Sequence, residues 1–284
     1  MKSIQTMFLP LKKTVKHFIP ELKDREDFEI EQIKTSCSRC GGEDVGWRYQ
    51  FHGESEVHIF QSSSPCIQCQ DRLYLNQVNI DHQHFLKEAV MERFWFIPTD
   101  LEDAGFKNYK RTNNVTTKAL NLAIEYVRHF KNSIPKERHN LLMMGSPGSG
   151  KTHLSVAIAR TLKAEGFTVG FITTGKLLAL IKETYKKGAS RTENDILEDI
   201  AKFEALVLDD LGAEAGTKDE FSWSKARLFD IINTRIGKPT IYTTNFDDLG
   251  LPTAVGERVA SRLYNKTRYI DMFTDDYRKS LRIS

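Results

Sequence analysis

The chain has 284 residues, enough for about two domains of ordinary size or one large domain with an appendage. Hydrophobic residues make up 40% and charged residues 28%, which fits a globular protein and excludes a disordered or fibrous one. The net charge of +3 is too small to mark a nucleic-acid binder, so any such role must rest on local patches.

No apolar run approaches the roughly 18 residues that cross a bilayer, so no membrane partner is expected. At the N-terminus, Met7 to Leu11 is broken by Pro10 and followed by Lys12 and Lys13, which does not read as a signal peptide. The expectation is a cytoplasmic protein, where disulfides are disfavoured. Leu11, Val15, Phe18, Ile19 and Leu22 recur at helical spacing opposite Lys12, Lys13 and Lys16, and Pro20 shortens any helix there. That apolar face either docks on a partner or packs against the module that follows.

All cysteines of the chain fall in two knuckles, Cys37-x2-Cys40 and Cys66-x2-Cys69. Two such knuckles offer four thiolates to one ion, the ligand set of a closed tetrahedral zinc site, whereas a single pair reads equally as a redox motif. Between them Val45, Trp47, Tyr49 and Phe51, then Val57 and Ile59, alternate as in strands, predicting a zinc ribbon with a β-hairpin. His52 and His58 are alternative ligands that fit a hairpin surface better. Further on, residues 83–94 (Phe85, Leu86, Val90, Phe94) and 117–130 (Leu120, Ala123, Ile124, Val127) read as amphipathic helices.

Residues Gly145, Ser146, Pro147, Gly148, Ser149, Gly150, Lys151 and Thr152 match G-x-x-x-x-G-K-[ST], with His153 next. Leu141 to Met144 before it suits a buried parallel strand, and 153–163 after it has helical spacing. Glycines allow backbone N–H groups to turn inward on phosphates, and a helix N-terminus adds partial positive charge. Lys151 is expected at the β- and γ-phosphates and Thr152 on magnesium.

Ala205 to Leu208 is an apolar strand ending in Asp209 and Asp210, a Walker B pattern. Asp209 is expected to hold magnesium with Thr152, and Asp210 to orient or deprotonate water, with Glu214 as a rival. A further strand, Thr240 to Thr244, delivers Asn245 to hold that water. The guanine-specifying N-K-x-D is missing, since Thr267-Arg268 follows Asn265-Lys266, so ATP is preferred to GTP. Arg258 and Arg262 stand four apart on one helical face, either as solvated arginines or as a finger toward a neighbour's γ-phosphate. Arg278, near the end, offers another guanidinium for the phosphates.

With these motifs in line, residues 95–284 resemble the DnaC/DnaI helicase loaders and the related IstB transposition ATPases, a branch of the AAA+ superfamily. The likeness includes Ile97-Pro98, Phe106-Lys-Asn-Tyr109, GSPGSGKTHL, LVLDDLG, TTN, GERVASRL and DDYR. It implies an α/β fold with a doubly wound parallel sheet, no helical lid domain, and Mg-dependent ATP hydrolysis. It assigns Arg262 as the finger and Arg278 as a sensor 2 residue, in a homo-oligomeric ring or spiral. It further implies loading of a DnaB-type hexameric helicase onto single-stranded DNA, with residues 1–94 as zinc-binding, helicase-docking module and connector. The alternatives are a transposition ATPase on duplex DNA, and an adaptor whose nucleotide is structural.

Between Lys176 and Arg191, Lys182, Lys186 and Lys187 complete a set of five basic residues against one acid, Glu183. Lys182, Tyr185 and Lys186 are expected on one helix, where loaders of this kind line the inside of their spiral. The residue types suit DNA phosphates and a stacked base, though they equally suit a solvated face.

Overall fold

The computed structural model describes residues 15–61, 65–133, 139–213 and 218–280. It divides into two compact units, Met1–Phe85 and Leu86–Ser284.

In the first unit, β1 (Phe28–Ser36), β2 (Glu43–Phe51) and β3 (His58–Gln61) form an antiparallel sheet in that order. The expected hairpin between the knuckles is β2–β3; β1 joins it ahead of the first cysteine, pairing Phe28 with Phe51 and Ser36 with Glu43. Because strand side chains alternate, Phe28, Ile30, Tyr49 and Phe51 share one face. Val15, Ile19 and Leu22 cover that face, so these N-terminal apolar residues pack on their own module, while Phe18, expected with them, is exposed. Leu11, Lys12 and Lys13 lie outside the described residues. Helix α1 (Ile67–Arg93) is far longer than the 83–94 expected, because no glycine or proline interrupts the chain after Cys66. Along it Leu73, Tyr74, Leu75, Val78, Ile80 and Phe85 are exposed.

The second unit is built on five parallel strands, β4 (Asn140–Met144), β5 (Val169–Thr173), β6 (Ala205–Leu211), β7 (Thr240–Thr244) and β8 (Thr267–Asp271), in the order β5-β6-β7-β4-β8. The helices are α2 (Asn114–Ser133), α3 (Lys151–Ala164), α4 (Thr174–Glu183), α5 (Glu193–Lys202), α6 (Lys218–Thr234), α7 (Gly250–Val255), α8 (Glu257–Leu263) and α9 (Tyr277–Ser280). Leu141 and Met143 face a core shared with α2 and α3, while Leu142 and Met144 face a second core with α4 to α8. Both sheet faces are therefore covered, which is why β4 is apolar at every position but its first. The doubly wound sheet expected from the sequence is present. Phe94 and Phe96 extend its β5 edge through Phe171, with N–H···O distances of 2.7 and 2.8 Å.

Arg235, at 2% exposure, ties two strand-entry loops to this sheet. Its guanidinium donates to Ile200 O (2.9 Å), Phe203 O (2.7 Å), Pro239 O (2.6 Å) and Thr240 Oγ1 (3.2 Å). Burial pulls its pKa down to about 10, still charged at neutral pH. Arg235→Ala strands these acceptors, and urea unfolding is expected to show a loss of about 3 kcal/mol or more; a change under about 0.5 kcal/mol, the surface-substitution range, would refute this account.

Candidate functional site

The phosphate loop runs from the C-terminal end of β4 into α3, as the motif order requires. Gly148 and Gly150 have φ of +74° and +92°, the left-handed region, so β-carbon-bearing residues there would be strained. A β-carbon on Gly150 would also stand 2.8 Å from the Tyr109 ring. Tyr109 reaches the loop from the segment before α2, its hydroxyl donating to Ser149 O at 3.4 Å. His153 is turned to that same segment: its Nε2 lies 3.0 Å from Gly105 O and its ring meets Tyr109 edge-on at 5.3 Å.

Lys151 is only 7% exposed, and its ammonium donates to Gly145 O (2.7 Å), Ser146 O (2.9 Å) and Asn245 Oδ1 (2.8 Å). These three acceptors are neutral oxygens, and an ammonium aimed at the loop favours an incoming anion. Ser149 Oγ is buried without a hydrogen-bond partner among the described residues, a further polar group for a ligand to engage. Asn245 in turn donates from Nδ2 to Asp210 Oδ1 at 3.1 Å, so lysine, asparagine and acid form one chain. Thr152 donates to Asp209 Oδ2 at 3.2 Å, bringing together the two residues expected on magnesium.

Adjacent strand residues normally face opposite sides, yet Asp209 and Asp210 both reach this site. The ladder explains it: Leu208 pairs with Tyr242 and Leu211 with Thr244, which leaves one extra residue in β6. This bulge re-aims the acids, and Asp210 takes φ +59°, a left-handed conformation that aspartate tolerates better than most residues. Thr243 fixes both, accepting from Asp210 N–H at 2.9 Å and donating to Asp209 Oδ1 at 2.7 Å. The motifs alone do not single out Thr243; the signal was a threonine run in a strand that is buried throughout. Burial raises the Asp209 carboxyl above its ordinary range, against hydrogen bonds from Thr243 and Thr152 that lower it. A divalent cation would offset that desolvation.

Of the arginines, Arg258 is exposed on α8. Arg262 is held against α6, with Nε donating to Asn233 Oδ1 at 2.5 Å and its guanidinium 4.2 Å from the Phe229 ring centroid. Arg278 falls in α9, its side chain outside the described set, and Glu214 lies outside the described residues.

In the basic stretch, Lys182, Tyr185 and Lys186 are exposed, but only Lys182 is helical. Helix α4 ends at Glu183, where Thr184 N–H and Tyr185 N–H turn to the i−3 carbonyls of Ile181 (3.0 Å) and Lys182 (3.3 Å), with Thr184 Oγ1 adding a bond to Ile181 O at 2.7 Å. Tyr185 and Lys186 stand in the turn beyond, correcting the expectation of one helix. Tyr185 donates to Glu193 Oε2 at 2.5 Å and meets Trp223 edge-on at 6.2 Å; nothing in the spacing pointed to that tryptophan. Within the stretch, Lys176 lies 5.2 Å from the Phe96 ring centroid, and Arg191 is 2.5 Å from the buried Asp199. Asp199 also meets Lys202 at 3.0 Å and Arg93 at 3.4 Å.

The four cysteines converge, all sulfurs lying within 4.8 Å of one another. Cys37 and Cys40 occupy the β1–β2 turn, closed by Cys37 N–H to Gly42 O and Gly41 N–H to Cys37 O, each 2.8 Å. Cys66 and Cys69 flank the start of α1. Sulfur separations of 3.9 Å (Cys37 to Cys69) and 3.5 Å (Cys40 to Cys66) bracket the edge of about 3.8 Å that a tetrahedron with 2.3 Å Zn–S bonds requires. Backbone N–H groups of Arg39 and Cys40 draw the Cys37 thiol down to about 6, while contacts with Cys40 and Cys66 push Cys69 up to about 12. Four thiolates cannot coexist here without a cation. His52 and His58 are not in the cluster; His58 stacks on Tyr49 at 5.1 Å.

No helix among the described residues is long and apolar enough to cross a membrane. The model of the IstB-like ATP binding proteins matches residues 100–279. The replicative helicase loader DnaC of Escherichia coli (strain K12) is 29% identical over 164 residues, 57% of this chain and 63% of that protein. DnaC of Buchnera aphidicola subsp. Schizaphis graminum is 26% identical over 183 residues, 63% of this chain and 71% of that protein. A crystal structure of the DnaC helicase loader superposes with a TM-score of 0.53 and 28% identity, covering 62% of this chain and 99% of that one. Phosphate loop, acid pair and asparagine all lie inside the matched span: the chain belongs to the IstB-like ATP-binding protein family.

Proposed function

We propose that the chain is an ATP-hydrolysing loader of a replicative helicase, working in the bacterial cytoplasm. The observation that carries the reading is the contact chain Lys151–Asn245–Asp210 beside Thr152–Asp209, which joins the motifs of three separate strands in one site. In this reading Gly145 to Thr152 bind the phosphates, Thr152 and Asp209 hold magnesium, and Asp210 with Asn245 positions the attacking water. Arg258 and Arg262 serve a neighbouring copy in a ring or spiral, and Arg278 serves its own nucleotide. Lys182, Tyr185 and Lys186 contact single-stranded DNA. The four cysteines hold a structural zinc in an N-terminal module that docks on a DnaB-type hexamer. The names of the relatives support the partner, and the chemistry of the side chains supports the ligands.

The test is reconstitution with a hexameric replicative helicase. A stable complex is expected, and Lys182→Ala with Tyr185→Ala should weaken single-stranded DNA binding about tenfold at low salt while leaving ATP binding intact. Failure to bind any helicase, together with assembly on duplex DNA, would favour the transposition reading, which the family model's own name supports.

A further inference from the structure

Among the described residues, the groups bonded to the buried Arg235 guanidinium are three carbonyls and a hydroxyl, none of which carries negative charge. With His139, Asn140, Tyr242, Arg262 and Lys266, this arginine lines a cavity of about 100 Å³. Asn140 opens β4, Lys266 immediately precedes β8, and Arg235 stands just ahead of β7. In a parallel sheet that is the entry end of the strands, the opposite end from the phosphate loop, which leaves β4. No carboxylate lines the cavity among the described residues, and Arg262 is held there by the neutral amide of Asn233. His139 is 3% exposed, and its Nδ1 is buried with no hydrogen-bond partner among the described residues. Burial, with the charges of Lys266 and Arg235 nearby, holds its imidazole below the ordinary range.

Two unmet requirements meet in this cavity. A charge taken out of water is costly unless an opposite charge joins it, and a buried ring nitrogen without a partner forfeits a hydrogen bond. One small anion answers both, accepting from the imidazole N–H while standing among the cations. The volume suits a few waters or one such ion, and it is far below the roughly 300 Å³ at which pockets take larger organic ligands. We infer that the cavity lined by His139, Arg235 and Lys266 is a binding site for a small tetrahedral oxyanion of the phosphate or sulfate type, separate from the nucleotide site. Lys266, exposed at the rim, draws the ion in, and His139 gives it a directed hydrogen bond. Arg235 joins the segments that enter β6 and β7, so the ion's charge also supports the packing of those two strand entries. A nucleic-acid backbone offers the same oxygens, but it brings sugars on both sides that a cavity of this size has no room for.

The phosphate loop would itself take phosphate, so inorganic phosphate is titrated calorimetrically into full-length Lys151→Ala at constant ionic strength and without nucleotide. One site per chain is expected. Adding Lys266→Asn should weaken it about fivefold, and adding His139→Leu about tenfold. Asparagine tolerates the left-handed φ of +53° at position 266, and that residue is exposed, so its variant tests the site even if His139→Leu fails to fold. Thermal melting checks each variant, and phosphate should raise the melting temperature of Lys151→Ala more than that of the double variants. Absence of phosphate binding to Lys151→Ala would overturn the inference, as would affinities within about twofold of that parent in both double variants. Release of the bound phosphate by oligothymidylate would overturn it too, by assigning these cations to a nucleic-acid backbone.

Discussion

Lys151→Ala is expected to lower ATP affinity by about 100-fold or more, the loss of one charge-assisted contact to each of two phosphates. The side chain is already aimed, its ammonium fixed by Gly145 O, Ser146 O and Asn245 Oδ1 within 2.9 Å. Little ordering entropy remains to be lost when a phosphate takes the place of those oxygens, so most of the electrostatic gain appears as affinity. Removing the lysine also frees Asn245 from one side, and Asp210 loses its indirect link to the loop. ATPase turnover should accordingly fall further than binding does. Titration calorimetry measures the first effect and phosphate release the second; binding within about threefold of wild type would show that nucleotide sits elsewhere.

The second large effect concerns the cysteines. Cys69→Ser, or treatment of the wild type with a strong chelator, is expected to unfold residues around the β1–β2 turn and the start of α1. The ATPase unit should keep its melting transition, because its two cores contain none of these residues. A structural zinc contributes on the order of 10 kcal/mol to the folding of a small module. The sheet it supports buries few residues of its own, chiefly Val15, Ile19, Leu22, Phe28, Ile30, Tyr49 and Phe51. Metal analysis should return one zinc per chain, and limited proteolysis should cut the first unit only after chelation. Protein that lacks stoichiometric metal and still resists protease there would remove the zinc site.

The parallel sheet and the phosphate loop were legible because their signals are local: an apolar run, a glycine pattern and a helix in fixed order. The cysteine cluster was legible for another reason, that two knuckles with no cysteine elsewhere leave a tetrahedral site as the simplest reading. What stayed hidden depends on long-range register. Thr243 acts on both acids only because β7 lies beside β6, and no spacing along the chain encodes that neighbour. Strand β1 escaped notice because its alternation fails after Ile30: Gln32 and Lys34 stand where apolar residues would continue the face of Phe28 and Ile30. The end of α4 was misplaced because its last turn tightens to i−3 backbone bonds, an effect finer than periodicity.

The extra residue in β6 has a consequence for how this site can vary over generations. In an unbulged strand, a substitution acts on its own face, but deleting one residue turns every later side chain to the opposite face. Here the direction of Asp209 depends on the presence of Asp210, and that of Asp210 on a ladder that skips a step before Leu211. Losing either residue would close the bulge and restore even pairing, keeping Leu211 opposite Thr244 but leaving one acid where the site uses two. The pair is therefore inherited as one object: substitutions can tune each carboxylate, but no path of single deletions leads to a simpler version of the same centre.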